Sequence, residues 1–320
     1  MIDLMGKKKI FFAISIFVIL AGVVGLIVNG GLNYDIQFQG GTIIQVEMSD
    51  DNFDANNIGS VVSDMLNKKV SSQKLKTYNP KNEAESINIL MLKVPSDHTL
   101  SDTEINNIVD LLRKDYNVNP EAEIQMQSVQ PSIAAEIKQK GITAILVSSA
   151  LIIVYIWWRF SNISGLPAAI TAVIALMHDA LVMLSAYAIF KIPLNESFIA
   201  AVLTILGYSL NDTIIIYDRI RENSGKLRKL PVNELVNTSI TQTMGRTINT
   251  SVTTLIAIVI VYIFASANNI QSIKEFSFPL IIGIISGTYS SIFIASPLWM
   301  MWKERQSKAK IVAKQAKART

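Results

Sequence analysis

GYSLNDTIIIYDRIREN, residues 207–223, and RTINTSVTTLIAIVIVYIF, residues 246–264, decide the fold of this 320-residue chain. Each is apolar enough to cross a bilayer, yet the first holds Asn211 and Asp212, and the second opens on Arg246 and a row of hydroxyls. A charged side chain at the centre of a spanning helix costs roughly 2.5–3.5 kcal/mol on insertion scales. Such a residue is kept where it pairs, binds an ion or moves a proton.

The rest of the chain agrees with a membrane setting. Half of its residues are apolar and only 17% are charged, against about 25% in an ordinary soluble domain. A spanning helix needs about 20 mostly apolar residues, and six segments qualify: 10–28, 142–158, 166–190, 198–217, 248–267 and 276–301. The first follows Lys7, Lys8 and Lys9 as a signal peptide would. No small-residue cleavage pattern precedes Asn29, and Gly22 and Gly25 lie inside the run, so it reads as an uncleaved anchor. Lys and Arg concentrate in loops of one side: Lys7 to Lys9, Arg159, six residues from Arg219 to Arg246, and seven after Trp302. The opposite short loops hold only Lys191 and Lys274. The positive-inside rule predicts both termini in the cytoplasm, with Trp157, Trp158, Trp299 and Trp302 at the inner interface. The net charge of +4 needs no nucleic acid to explain it. The basic tail, 303–320, reads as a solvated segment near anionic lipid of the bilayer.

The predicted organisation is an N-terminus and first span (1–29), an external block (30–141), five further spans (142–302) and the tail. The external block is too long for a loop. Residues 42–48 (TIIQVEM) alternate as a half-buried strand does. Residues 54–70 carry an apolar stripe of helical period, Ile58, Val61, Val62, Met65 and Leu66. Strands follow at 73–78, which Asn79-Pro80 breaks, and at 87–94. Ser101 and Glu104 form a capping box before a second helical stripe, and 123–129 alternates again. The order β-α-β-β-α-β is the ferredoxin-like split pattern. The chain has no cysteine, so this domain folds on its apolar core without disulfides. His98, beside Pro95 and Ser96, reads as a solvent-exposed turn residue.

The intramembrane residues admit two readings. Asp212 lies in span four with roughly 9 Å of helix before the inner surface, and Arg246 stands at the inner mouth of span five. Arg246 either snorkels into the headgroups or reaches inward toward Asp212, as a structural ion pair or as a switchable pair whose carboxylate exchanges a proton. Asn211 is placed to orient the neighbouring carboxylate. Asp179 and His178 lie mid-span three, and straight helices would put Asp179 roughly 12 Å from Asp212 in depth. Thr247, Thr250, Ser251 and Thr254 form a hydroxyl stripe, read as interhelical hydrogen bonding in its outer members and as a wet path nearest Arg246. Gly283, Gly287 and Ser291 repeat every four residues as a seam for close helix packing. No phosphate-binding loop, nucleophile elbow or metal cluster beyond the single His-Asp pair is present. The chain therefore reads as no enzyme, with no cofactor and no metal.

Further stretches carry a resemblance: FQGGT (38–42), VQPSI (129–133), YIWWRF (155–160), HDA (178–180) and TQTMGRTINTSVTT (241–254). Together with the fourth-span motif, and in this order, they resemble the SecD/SecF family of bacterial protein-export membrane proteins within the resistance-nodulation-division (RND) superfamily. The resemblance covers the chain apart from its tail and the middle of the external block. It departs at Gln37 (with Asp35 nearby) and at Gln130, where the family usually has Asp and Gly. The fold it implies is an α-helical RND-type half of six transmembrane helices with one extracytoplasmic α+β domain. It favours ion coupling at Asp212 and Arg246, with Asn211, Asp179, Thr250 and His178 as further candidates, His178 equally a packing partner, and a domain–membrane junction at Gly40, Gly41 and Pro131. The partners it implies are a SecD-like second half, the SecYEG translocon and a translocating polypeptide. The function it implies is export promoted by a proton gradient, with the external domain as the moving arm. The alternatives are a passive scaffold for the translocon or for membrane-protein assembly, and, less so, half of an efflux permease.

Overall fold

The computed structural model describes residues 3–78, 86–95, 100–120, 123–163 and 165–317. Asn79, Pro80 and His98 lie outside the described residues. The chain enters through α1 (Lys8–Val28), turns through the short α2 (Ile36–Gln39) and builds an α+β domain. That domain runs β1 (Gly41–Met48), α3 (Ala55–Leu66), β2 (Ser71–Tyr78), β3 (Ser86–Pro95), α4 (Asp102–Asp115) and β4 (Gln125–Val129). The sheet order is β2-β3-β1-β4 with every pair antiparallel, the ferredoxin-like arrangement. Its core joins Ile44, Val46, Leu90, Leu92 and Val94 of the strands to Ile58, Val62, Ile108 and Leu112 of the helices. Asp54 caps α3, and the capping box of Ser101 and Glu104 opens α4.

Five long helical segments follow: α5 (Pro131–Arg159), α6 (Gly165–Phe190), α7 (Glu196–Lys226), α8 (Val232–Ala267) and α9 (Gln271–Ser290) running on into α10 (Ser296–Lys317). With α1 they make six helices long and apolar enough to span a membrane. Several outrun the apolar windows. Helix α5 starts at Pro131, whose missing N–H suits the first helical position, and α8 starts at Val232. The basic tail continues the last helix to Lys317.

Helices α6, α7 and α9 form the buried centre, while α1, α5 and α8 present exposed apolar flanks such as Phe17, Leu151 and Ile260. Close approach of α9 to α7 depends on glycine. A Cβ on Gly283 would lie 2.4 Å from Ile205 Cγ1, and one on Gly287 would lie 2.8 Å from Ser209 Cβ. A π-helical turn, Ser291–Ala295, links α9 to α10. Within it the Ser291 hydroxyl donates to the carbonyl of Ser209 at 3.1 Å and pairs with Thr213 Oγ1 at 2.8 Å. The residue read as a packing position thus also bonds across the seam.

The domain root is fastened to the α6–α7 connection. Asp35 N–H donates to Leu194 O at 2.9 Å and Leu194 N–H to Asn33 O at 2.8 Å, a short parallel bridge. Gln37 Oε1 accepts from the Glu196 N–H at 3.0 Å, capping the start of α7. Asp35 caps α2 and pairs with Lys93 at 2.7 Å, both side chains nearly buried. Gly40 (φ +88°) and Gly41 (φ +139°) occupy backbone regions that favour glycine, and a Cβ on Gly40 would meet Pro131 at 3.0 Å. The junction therefore brings together the three residues the sequence assigned to it.

Candidate functional site

Two buried carboxylates stand in the centre of the helical bundle in unlike surroundings. Asp179, on α6, is fully buried. It accepts hydrogen bonds from Ser209 Oγ on α7 (2.7 Å), and from Ser286 Oγ (2.7 Å) and Ser290 Oγ (2.8 Å) on α9. His178 Nδ1 lies 3.2 Å from the same carboxylate. Both oxygens are engaged, and the group ties three helices together. None of the three serines is conspicuous in the sequence. Ser286 and Ser290 lie one turn apart, a spacing that interleaves with the glycine seam and hides within it.

Asp212, on α7, is equally buried but poorly engaged. Its Oδ2 receives one long hydrogen bond, 3.4 Å, from Ser251 Oγ on α8, and its Oδ1 accepts none among the described residues. Ser251 in turn accepts from Thr288 Oγ1 of α9 at 2.7 Å. Tyr208, one turn before Asp212, and Thr247, one turn before Ser251, also hold buried hydroxyls with no partner among the described residues. Positions four apart share a helix face, so these groups follow the α7–α8 contact. Buried polar groups without partners are rare in native proteins and call for a cause such as catalysis or ion exchange.

Several residues assigned from the sequence stand elsewhere. Arg246 is exposed and makes no salt bridge among the described residues, so the Asp212–Arg246 pair is not formed. The buried face of α8 is Thr243, Thr247 and Ser251. Arg246 is turned about 100° from Thr247 and lies roughly 7.5 Å along the axis from Ser251. Asn211 is exposed and does not orient Asp212, because adjacent helical residues diverge by about 100°. Thr250 bonds the Arg246 carbonyl at 2.9 Å, and Ser251 takes the place beside the carboxylate that the stripe suggested for it. Asp179 is also closer in depth to Asp212 than straight helices imply. It bonds Ser209, three residues from Asp212, which is about 4.5 Å of rise. His178 is buried beside Asp179, stacks near the Tyr289 ring at 6.0 Å, and leaves Nε2 unpartnered among the described residues.

Arg246, Asn249 and Thr253 of α8, and Asn211 and Gly207 of α7, are exposed polar or small residues within helices long and apolar enough to span a membrane. Lipid covers such residues poorly.

The chain is similar to known proteins over nearly its whole length. Residues 110–305 match the family model described as protein export membrane protein SecD/SecF, C-terminal. The protein translocase subunit SecF of Alicyclobacillus acidocaldarius is 36% identical over 313 residues, covering 96% of this chain and 94% of the relative. The subunit of the same name from Petrotoga mobilis is 34% identical, covering 96% and 98%. Among solved structures, SecDF of Thermus thermophilus, a translocon-associated membrane protein, superposes with a TM-score of 0.76 at 28% identity. The match takes in 95% of this chain but 39% of that one.

Proposed function

Since the chain belongs to the SecD/SecF family of protein export membrane proteins, as a multi-pass inner-membrane subunit with an accessory role in Sec export and a SecD-type partner, we propose that it uses a proton gradient to promote export and that Asp212 carries the proton. The observation behind this reading is the contrast between the two carboxylates. Asp179 is held by every neighbour it has. Asp212 keeps a free oxygen in a low-dielectric site, where an ionised carboxylate is costly unless it binds a proton or cation. One charge crossing 100 mV releases about 2.3 kcal/mol, so several protons bias a two-state domain movement.

In this reading the exposed polar residues of α7 and α8 meet the SecD-like half, which brings Arg246 and Asn211 into a shared, protein-lined path. Both termini face the cytoplasm, the α+β domain faces outward, and the larger partner is the SecYEG channel. The external domain acts on the translocating polypeptide, and the chain performs no covalent chemistry. The competing reading, a passive scaffold, makes Asp212 a structural group, and its single long hydrogen bond speaks against that.

The test is preprotein export into inverted membrane vesicles carrying Asp212→Asn, with and without a proton gradient. The variant is expected to assemble with its partner while losing the gradient-dependent part of export. Wild-type export from an assembled Asp212→Asn complex would refute proton coupling at this residue.

A further inference from the structure

A cavity of about 320 Å³ opens where α1 and α6 leave the membrane beneath the α+β domain. Its walls hold Lys69, Lys93 and Lys191, and Asp35 is the one carboxylate among them. Asp35 neutralises Lys93 at 2.7 Å. Lys69 and Lys191 are exposed and make no salt bridge among the described residues, so the cavity carries two uncompensated amines. Gln73, on β2, also lines it, and its Oε1 is buried without a hydrogen bond among the described residues.

The position of the cavity selects the ligand. Asn29 and Lys191 lie on its wall, and each directly follows the exposed apolar end of a spanning helix, Ile27 and Val28 on α1 and Phe190 on α6. Amines at headgroup level above a lipid-facing apolar strip match a phosphate joined to acyl chains. We infer that this cavity binds the headgroup of an anionic phospholipid, with Lys69 and Lys191 on the phosphate and the chains along Val28 and Phe190. Basic pockets at membrane interfaces recognise anionic headgroups by this charge pairing. A free phosphate satisfies the lysines but not the apolar strip.

The experiment is native mass spectrometry of the purified full chain in micelles doped with phosphatidylglycerol or phosphatidylcholine. The wild type is expected to retain phosphatidylglycerol in preference to phosphatidylcholine. Lys69→Gln with Lys191→Gln is expected to weaken that retention by roughly tenfold or more. Lys69→Arg with Lys191→Arg keeps the charge and retains the lipid, which separates loss of binding from loss of fold. Lys7→Gln with Lys9→Gln, at the opposite membrane face, leaves retention unchanged. Equal retention of the two lipids, or equal loss in the Lys7 and Lys9 control, overturns the assignment. If inorganic phosphate alone raises the thermal midpoint as much as phosphatidylglycerol does, the occupant is a free anion and the lipid assignment fails.

Discussion

Asp179 on α6 and Ser209 on α7 are joined by a 2.7 Å hydrogen bond, and Ser209 stands one helical turn from Asp212. The fully engaged carboxylate is therefore anchored to the helix that carries the poorly engaged one. Helix α9 serves both networks within five residues, with Ser286 and Ser290 on Asp179 and Thr288 on Ser251.

This division of roles predicts unequal costs of removing hydroxyls. Leaving a buried polar group without its hydrogen-bond partner costs about 1–3 kcal/mol, so Ser290→Ala and Ser286→Ala should each destabilise the bundle by about that much. Ser251→Ala removes a 3.4 Å contact to Asp212 and an acceptor for Thr288, which keeps the Ile284 carbonyl, and should cost about 1 kcal/mol or less. Reversible unfolding in mixed micelles measures both, and equal losses would contradict the contrast between the two sites.

The pair between Asp35 and Lys93 is 12% exposed on the lysine and 6% on the aspartate. Breaking a buried pair by removing one partner typically costs about 3–5 kcal/mol. Asp35→Asn and Lys93→Met should each loosen the root of the domain by an amount in that range, and the double variant should recover much of the loss. Hydrogen exchange along β1 and β3 reads the effect residue by residue. Additive losses in the double variant would show that the two groups act independently.

Acid should act on the domain through Glu104. The Lys68 ammonium and the Ser101 N–H hold its carboxyl down at about 2, against 4.5 for a free glutamate. A lowered folded value means that Glu104 stabilises the domain above about pH 4.5 and that this contribution fades as pH falls toward about 2. Glu104→Gln should lower the thermal midpoint at pH 7 and make little difference near pH 2. A midpoint gap that is independent of pH would rule the linkage out.

Orientation is checked by labelling. The chain has no cysteine, so single substitutions report cleanly. Asn269→Cys should react with an impermeant maleimide from outside intact cells, and Ser224→Cys should not. External labelling at Ser224 would invert the topology proposed above.

The α+β domain was legible because most of its strands and helices show their own period and the cap residues agree with that order, although β4 is exposed along nearly its whole length instead of alternating. The spans were legible from length and apolarity, but their ends were not, since helices such as α5 run on past the apolar window with no breaking residue. The site was half legible. Asp212 and Asp179 stand out in the sequence because charge is conspicuous in an apolar run. Ser209, Ser286 and Ser290 do not, because serine is common in packed helices and only rotation and depth bring these three to one carboxylate. The Asp212–Arg246 pairing fails for the same reason. Opposite charges on neighbouring spans suggest a contact, while the buried face of α8, set by Thr247 and Ser251, turns the arginine away.

The bridge between Asn33, Asp35 and Leu194, with Gln37 capping Glu196, has a mechanical consequence. It ties the root of the α+β domain to the first turn of α7. From there one unbroken helix runs 16 residues, roughly 24 Å, to Asp212. Along the way Gly283 and Gly287 hold α9 against it so tightly that it cannot bend without displacing its neighbour. The root of the outer domain and the buried carboxylate are thus the two ends of one continuous helical segment.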